Sequence, residues 1–155
     1  MISKTGIHAL AALAALARLG AGAYAGSGDI AREIGAPRNY LGKLLKTLAD
    51  AGFLESQKGK GGGFRMARDP ATIPLINVIG KIERIDRWSD CLMGRGRCSD
   101  TNPCPAHERW AKVREAYLDF LESTSIADLA AGGRWASEKQ DSAIGKTKGP
   151  RKNKV

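Results

Sequence analysis

A chain of 155 residues with 43% hydrophobic content can bury one substantial core, so its length argues for one fold with additions rather than two full domains. The net charge of +9 points to a polyanionic partner. Residues 1–68 carry ten Lys/Arg against four Asp/Glu, residues 69–133 eight against ten, and residues 134–155 seven against two, so the N-terminal block is basic in its own right, as suits a module that neutralises phosphates. Three cysteines, all between positions 91 and 104, exclude a self-contained disulfide framework and fit a reducing, cytoplasmic compartment. No run reaches the roughly 18 apolar residues that cross a membrane.

The first helix is expected from about Lys4 to Leu19. Lys4, the apolar stretch Ala9 to Ala17 and the small residues Ala23 to Ala25 imitate a secretory leader. However, Leu10, Leu13, Leu16 and Ala17 recur at helical spacing, as a core-facing stripe does. Gly20, Gly22 and Gly26 stop this helix. Ser27 is the expected N-cap of a short helix from Gly28 to Ile34. Gly35-Ala36-Pro37 then breaks the chain before a third helix, Arg38 to Ala51, with a stripe of Leu41, Leu44, Leu45 and Leu48 and with Gly52 at the C-terminal cap. Two helices across a short Gly-containing turn have helix-turn-helix spacing.

After Gly52 the pattern alternates. Phe53 to Lys58 and Phe64 to Arg68 read as strands around Gly59-Lys60-Gly61-Gly62-Gly63, a hairpin or wing. Pro70 to Pro74 connects to a fourth helix, Leu75 to Ile85. The cysteine loop runs from Trp88 to Cys104, and Pro105 is expected to begin a long last helix, with Trp110, Val113, Tyr117, Phe120 and Leu121 on one stripe that needs a partner surface. From Gly132 onward the composition reads as a disordered basic tail. The expected division is 1–74 for a winged helix-turn-helix, 75–131 for the linker helix, cysteine loop and terminal helix, and 132–155 for the tail. The fold class is mainly α with a small β-hairpin.

Arg38, Asn39, Tyr40, Lys43 and Lys46 lie on or near the face of the third helix opposite the leucines, where a recognition helix reaches base edges and phosphates; the bland reading is a solvated helix face. The wing adds Lys58, Lys60 and Arg65, with Gly61 and Gly62 allowing close approach to a phosphate backbone, and Ser27 completes the expected DNA-binding set. Nucleotide binding fails on context, because Gly145-Lys146-Thr147 has Gln140 where a phosphate loop needs its first glycine.

Cys91, Cys98 and Cys104, with His107 three residues beyond the last, make a soft donor set suited to an iron–sulphur cluster or zinc. Zinc more often takes cysteines paired two to four residues apart, so the spacing leans towards iron–sulphur. A bare thiol switch is the second reading and a small metalloenzyme the third. The latter lacks a recognisable nucleophile and base, so an enzyme is not expected. His8 reads as a packing or surface residue.

Several segments resemble the Rrf2 family of bacterial winged-helix regulators over about Ile2 to Leu129. They are Ile2-Ser3-Lys4-Thr5-Gly6, Arg38-Asn39-Tyr40-Leu41, Ala51-Gly52-Phe53-Leu54, the wing from Lys58 to Arg68, the three cysteines, and Ser125-Ile126-Ala127-Asp128-Leu129. The resemblance implies a homodimeric repressor or dual regulator whose long helices cross and whose operator affinity follows a cluster sensing redox state, nitric oxide or iron–sulphur status. It implies Cys91, Cys98, Cys104 and His107 as ligands, of 2Fe–2S in preference to 4Fe–4S. Two departures stand out from the family's iron–sulphur branch: the first cysteine interval is one residue longer, and Gly42 replaces a glutamate. The nitric-oxide-sensing branch uses an acidic ligand in the first helix, where this chain has Ile7.

Overall fold

A computed structural model describes residues 2–85 and 89–133. Trp88, taken above as the start of the cysteine loop, and the tail beyond residue 133 lie outside the described residues. The chain order is α1 (Lys4–Arg18), α2 (Ser27–Ile34), α3 (Arg38–Asp50), β1 (Leu54–Gln57), β2 (Gly63–Met66), a 3-10 turn (Pro70–Thr72), α4 (Leu75–Ile82), α5 (His107–Ser123) and α6 (Ile126–Ala131).

Helix α1 is the central post. Its alanines from Ala9 to Ala15 and its leucines Leu10, Leu13 and Leu16 are buried, and α2, α3, α4, α6 and β2 all pack on it. Alanine on several sides explains how one helix accepts so many neighbours, since small side chains let other elements approach closely. Its N-terminus is clasped from a distance. Ser3 caps the helix by accepting from the Gly6 N–H, while its own N–H and hydroxyl donate to Glu83 Oε1 at 2.7 and 2.6 Å.

Helix α2 begins one residue earlier than expected. Gly26 is the N-cap, and no side chain caps the helix, so Ser27 is its first helical residue rather than its cap. In α3 the predicted leucines are buried, and truncating one of them to Ala costs about 2–5 kcal/mol. Gly52, at φ +81°, lets the chain reverse so that the Phe53 N–H returns to Leu48 O at 3.0 Å, closing the helix end.

The two strands are shorter than expected and pair antiparallel, with Leu54 opposite Met66 and Gln57 opposite Gly63. Phe64 also exchanges both backbone hydrogen bonds with Ala25, at 3.0 and 2.9 Å, tying the wing to the loop before α2. Gly63 is required there, because a Cβ would collide with the Ala25 carbonyl.

Three terminal-half expectations need correction. Helix α4 ends at Ile82, not Ile85: Glu83 turns extended to hold Ser3, and Ile85 folds back over Gly80. Helix α5 begins at His107, with Pro105 in the preceding turn, because Cys104 O receives the His107 N–H at 2.9 Å. A separate short helix, α6, then follows α5. It opens with a capping box in which Ser125 Oγ accepts from the Asp128 N–H and the Asp128 carboxylate accepts from Ser125. Leu121 and Ile126 are fully buried in the same core as α1, α3 and α4, so the core runs continuously across position 74. Two backbone hydrogen bonds of 2.9 Å, Leu75 N to Thr124 O and Ile126 N to Ile73 O, fasten that junction.

Candidate nucleic-acid interface and thiol site

Arg38, Asn39, Lys43 and Lys46 are exposed along α3 and Tyr40 is half-buried, so the opening turns of the helix present two cations, an amide and a phenol. Tyr40 meets His8 edge to face, with ring centroids 5.6 Å apart. Lys46 lies 3.5 Å from Asp50, an exposed i,i+4 pair that leaves it at the far end of the face. Ser27 is half-buried at the start of α2, with its Oγ 4.0 Å from where a Cβ on Gly42 would stand. Lys58, Lys60 and Gly61 are exposed at the wing tip, and Gly62 packs against the backbone of Gln57 and Gly59.

Arg65 is placed differently from its wing neighbours. Its Nε and one terminal nitrogen donate to Glu55 Oε2 at 2.8 and 2.6 Å, and its guanidinium lies 5.0 Å from the Tyr24 ring centroid. The Glu55 hydrogen bond, then the Glu55 charge, raises its pKa above the ordinary value. A guanidinium engaged in this way braces the hairpin. Tyr24 and Glu55, unremarked in the sequence, are its partners. Only a cross-strand register could have exposed the Glu55 pairing.

The sulphur site gathers on one loop and the start of α5. Cys91, Cys98, Cys104 and His107, with Arg95, Arg97, Ser99 and Asn102, line a cavity of about 200 Å³. All three cysteines are free thiols, and Cys104 is buried. Loop backbone positions them: the Cys91 N–H reaches Gly96 O at 2.7 Å and the Cys98 N–H reaches Ser89 O at 2.8 Å. Trp110 Nε1 donates to Asp90 O at 3.1 Å, securing the loop to α5. Cys98 Sγ lies 3.3 Å from His107 Nδ1. His107 Nε2 meets Asp100 Oδ1 at 2.7 Å, which leaves Nδ1 as the nitrogen facing the cavity. The Cys91 thiol is held below its ordinary value of 9.0, first by the Met93 backbone hydrogen bond and further by the Arg95 backbone, the Cys104 thiol and the Arg95 charge, against the opposing effect of burial.

Along α5 the predicted stripe divides. Leu121 is fully buried in the chain's own core, and Tyr117, half-buried, packs against that core. Trp110 is half-buried on the cysteine loop, whereas Val113 and Phe120 are 59% and 48% exposed.

A helix-turn-helix with a pinned hairpin wing and a long helix carrying a thiol cavity define a winged-helix transcriptional regulator. The chain belongs to the Rrf2 family: residues 2–132 match the family model described as "Iron-dependent Transcriptional regulator". Over 103 residues, 65% of this chain, it is 33% identical to an inferred HTH-type transcriptional regulator of Aquifex aeolicus (strain VF5), covering 72% of that protein. Over 101 residues, again 65% of the chain, it is 31% identical to the HTH-type transcriptional regulator IscR of Vibrio vulnificus (strain YJ016), of which the match spans 60%. Among solved structures it superposes on CymR, the global cysteine regulator of B. subtilis, with a TM-score of 0.73 and 25% identity over 86% of this chain and 98% of that one. IscR of T. potens follows at 0.66 and 23% over 85% and 87%, a likeness of fold. Among the described residues, no helix is long and apolar enough to cross a membrane.

Proposed function

We propose that the chain is a homodimeric DNA-binding repressor whose operator affinity is set by an iron–sulphur cluster held by Cys91, Cys98, Cys104 and His107. The observation that carries this reading is the cavity lined by all four of those side chains. Three thiols and an imidazole lining one cavity supply four donors, the number of terminal ligands that the two irons of a 2Fe–2S cluster require, with 4Fe–4S and zinc as the alternatives. Such a cluster supplies a one-electron couple and a centre that oxidants and nitric oxide attack.

The chain's own residues do the rest. Arg38, Asn39, Tyr40 and Lys43 meet the major groove, and Lys58 and Lys60 grip an adjacent backbone. Ser27 and Lys46 flank that surface, and Gly61 and Gly62 keep the wing tip narrow. Val113 and Phe120, with Trp110 beside them, form the face that meets a second copy. A few kcal/mol of differential affinity between two site states suffices for switching.

Anaerobic purification tests the proposal. The expected result is visible absorption with stoichiometric iron and sulphide, lost in a triple Cys→Ala variant, and duplex affinity that changes on exposure to oxidant or nitric oxide. Iron-free, colourless protein whose DNA binding ignores both treatments overturns it. A second reading rests on three free thiols lining one cavity: a two-electron oxidant would join Cys91 to a neighbouring cysteine as a disulfide, with loss of two protons. Oxidant-dependent DNA binding by metal-free protein, abolished by Cys91→Ser, would select that reading.

A further inference from the structure

Gly28 occupies the second position of α2, where alanine would stabilise a helix better than glycine. Its backbone is unstrained: it is absent from the positive-φ glycines, so conformation does not demand glycine here. What a side chain here would displace is another side chain. A Cβ on Gly28 would collide with the guanidinium of Arg38, meeting one terminal nitrogen closely and standing 2.9 Å from both Cζ and Nε. The guanidinium of the first residue of α3 therefore lies against the bare backbone of α2. Arg38 is exposed and lies at the N-terminal end of the helix proposed to enter the groove.

We infer that Gly28 is a positioning residue for DNA recognition: its missing side chain is the seat that fixes the direction of the Arg38 guanidinium. A long, flexible arginine loses conformational freedom when it orders on a duplex. A seat that orders it beforehand removes part of that cost and restricts the angles from which a base edge or phosphate is met. A methyl at position 28 leaves the core untouched and simply evicts the guanidinium. The inference rests on the DNA-binding reading above.

The consequence is a pair of effects of opposite sign. Gly28→Ala should raise the thermal midpoint, because it improves helix propensity where only the mobile end of Arg38 has to give way. The same substitution should weaken binding to a fluorescent duplex taken from upstream of the chain's own coding sequence by roughly tenfold at low salt, the scale of one lost directed arginine contact. Arg38→Ala should weaken binding comparably, and the double variant should bind no worse than Arg38→Ala alone. Gly28→Ala protein that binds like wild type overturns the inference. So does a Gly28→Ala loss that persists in full when Arg38 is already alanine, since the methyl would then act on the duplex or on α2 directly. Wild-type protein that ignores the duplex at low salt instead overturns the DNA-binding reading, and the inference with it.

Discussion

Lys58 and Lys60 project from the wing tip, while Arg65, a few residues on, donates its Nε and one terminal nitrogen to Glu55. Charge near a duplex acts through counterion release only where it reaches phosphate. Lys60→Ala should therefore lower duplex affinity and reduce the log–log salt slope by about 1, whereas Arg65→Ala should leave the slope near wild type and loosen the hairpin. Titrations at several salt concentrations separate the two. His8 offers a second residue-scale test. Burial first, and the Lys4 charge second, hold its imidazole below the ordinary 6.5, and among the described residues its buried Nδ1 has no hydrogen-bond partner. The folded state thus prefers neutral His8, and the unfolded chain binds the proton more readily. This contribution to stability is fully present above pH 6.5 and is lost as the pH falls towards the lowered folded value. Thermal midpoints across that range should fall less steeply in His8→Gln.

At the scale of elements, α6 rests on its capping box. Hydrogen bonds from the Ser125 hydroxyl first, and its backbone N–H second, hold the Asp128 carboxyl below its ordinary 3.8. Here too the folded pKa is depressed, so the stabilisation is present above 3.8 and disappears as the pH falls through the folded value. Asp128→Ala should lower the thermal midpoint at neutral pH and flatten its acid dependence, as followed by circular dichroism. The Ser-x-x-Asp signal for α6 is local and stands in the sequence at 125–128; the expectation of one long terminal helix passed over it. Helices α1 to α3 and the wing were legible because leucine periodicity and glycine punctuation are local as well. The ends of α4 and α5 were not, since Glu83 is drawn off by Ser3 eighty positions away and the cysteine loop decides where α5 starts. The same divide runs through the candidate site. Soft donors at 91, 98, 104 and 107 announce themselves by residue type, but the Asp100 contact to His107, the Tyr24 contact to Arg65 and the seat at Gly28 exist only once the chain has folded.

For the whole molecule, exposed Val113 and Phe120 on α5 make association the expected use of that helix. Phe120→Glu should shift sedimentation towards the monomer and, because a two-fold regulator gains affinity by holding two half-sites at once, weaken duplex binding far more than its distance from the wing would suggest. Helix α5 has a further property that follows from its two ends. His107, at its first turn, belongs to the sulphur cavity, and Leu121, near its last, is sealed in the core. The 17 residues between and including its bounds make a stiff rod of about 25 Å. One added residue near its middle would rotate one end by roughly 100° relative to the other. Imidazole and leucine would then no longer find their places together. A single alanine inserted after Arg114 should therefore cost either retention of the proposed cluster or thermal stability, while deleting a neighbouring residue in the same variant should restore both: the helix works as a key whose teeth at bow and tip are cut to one phase.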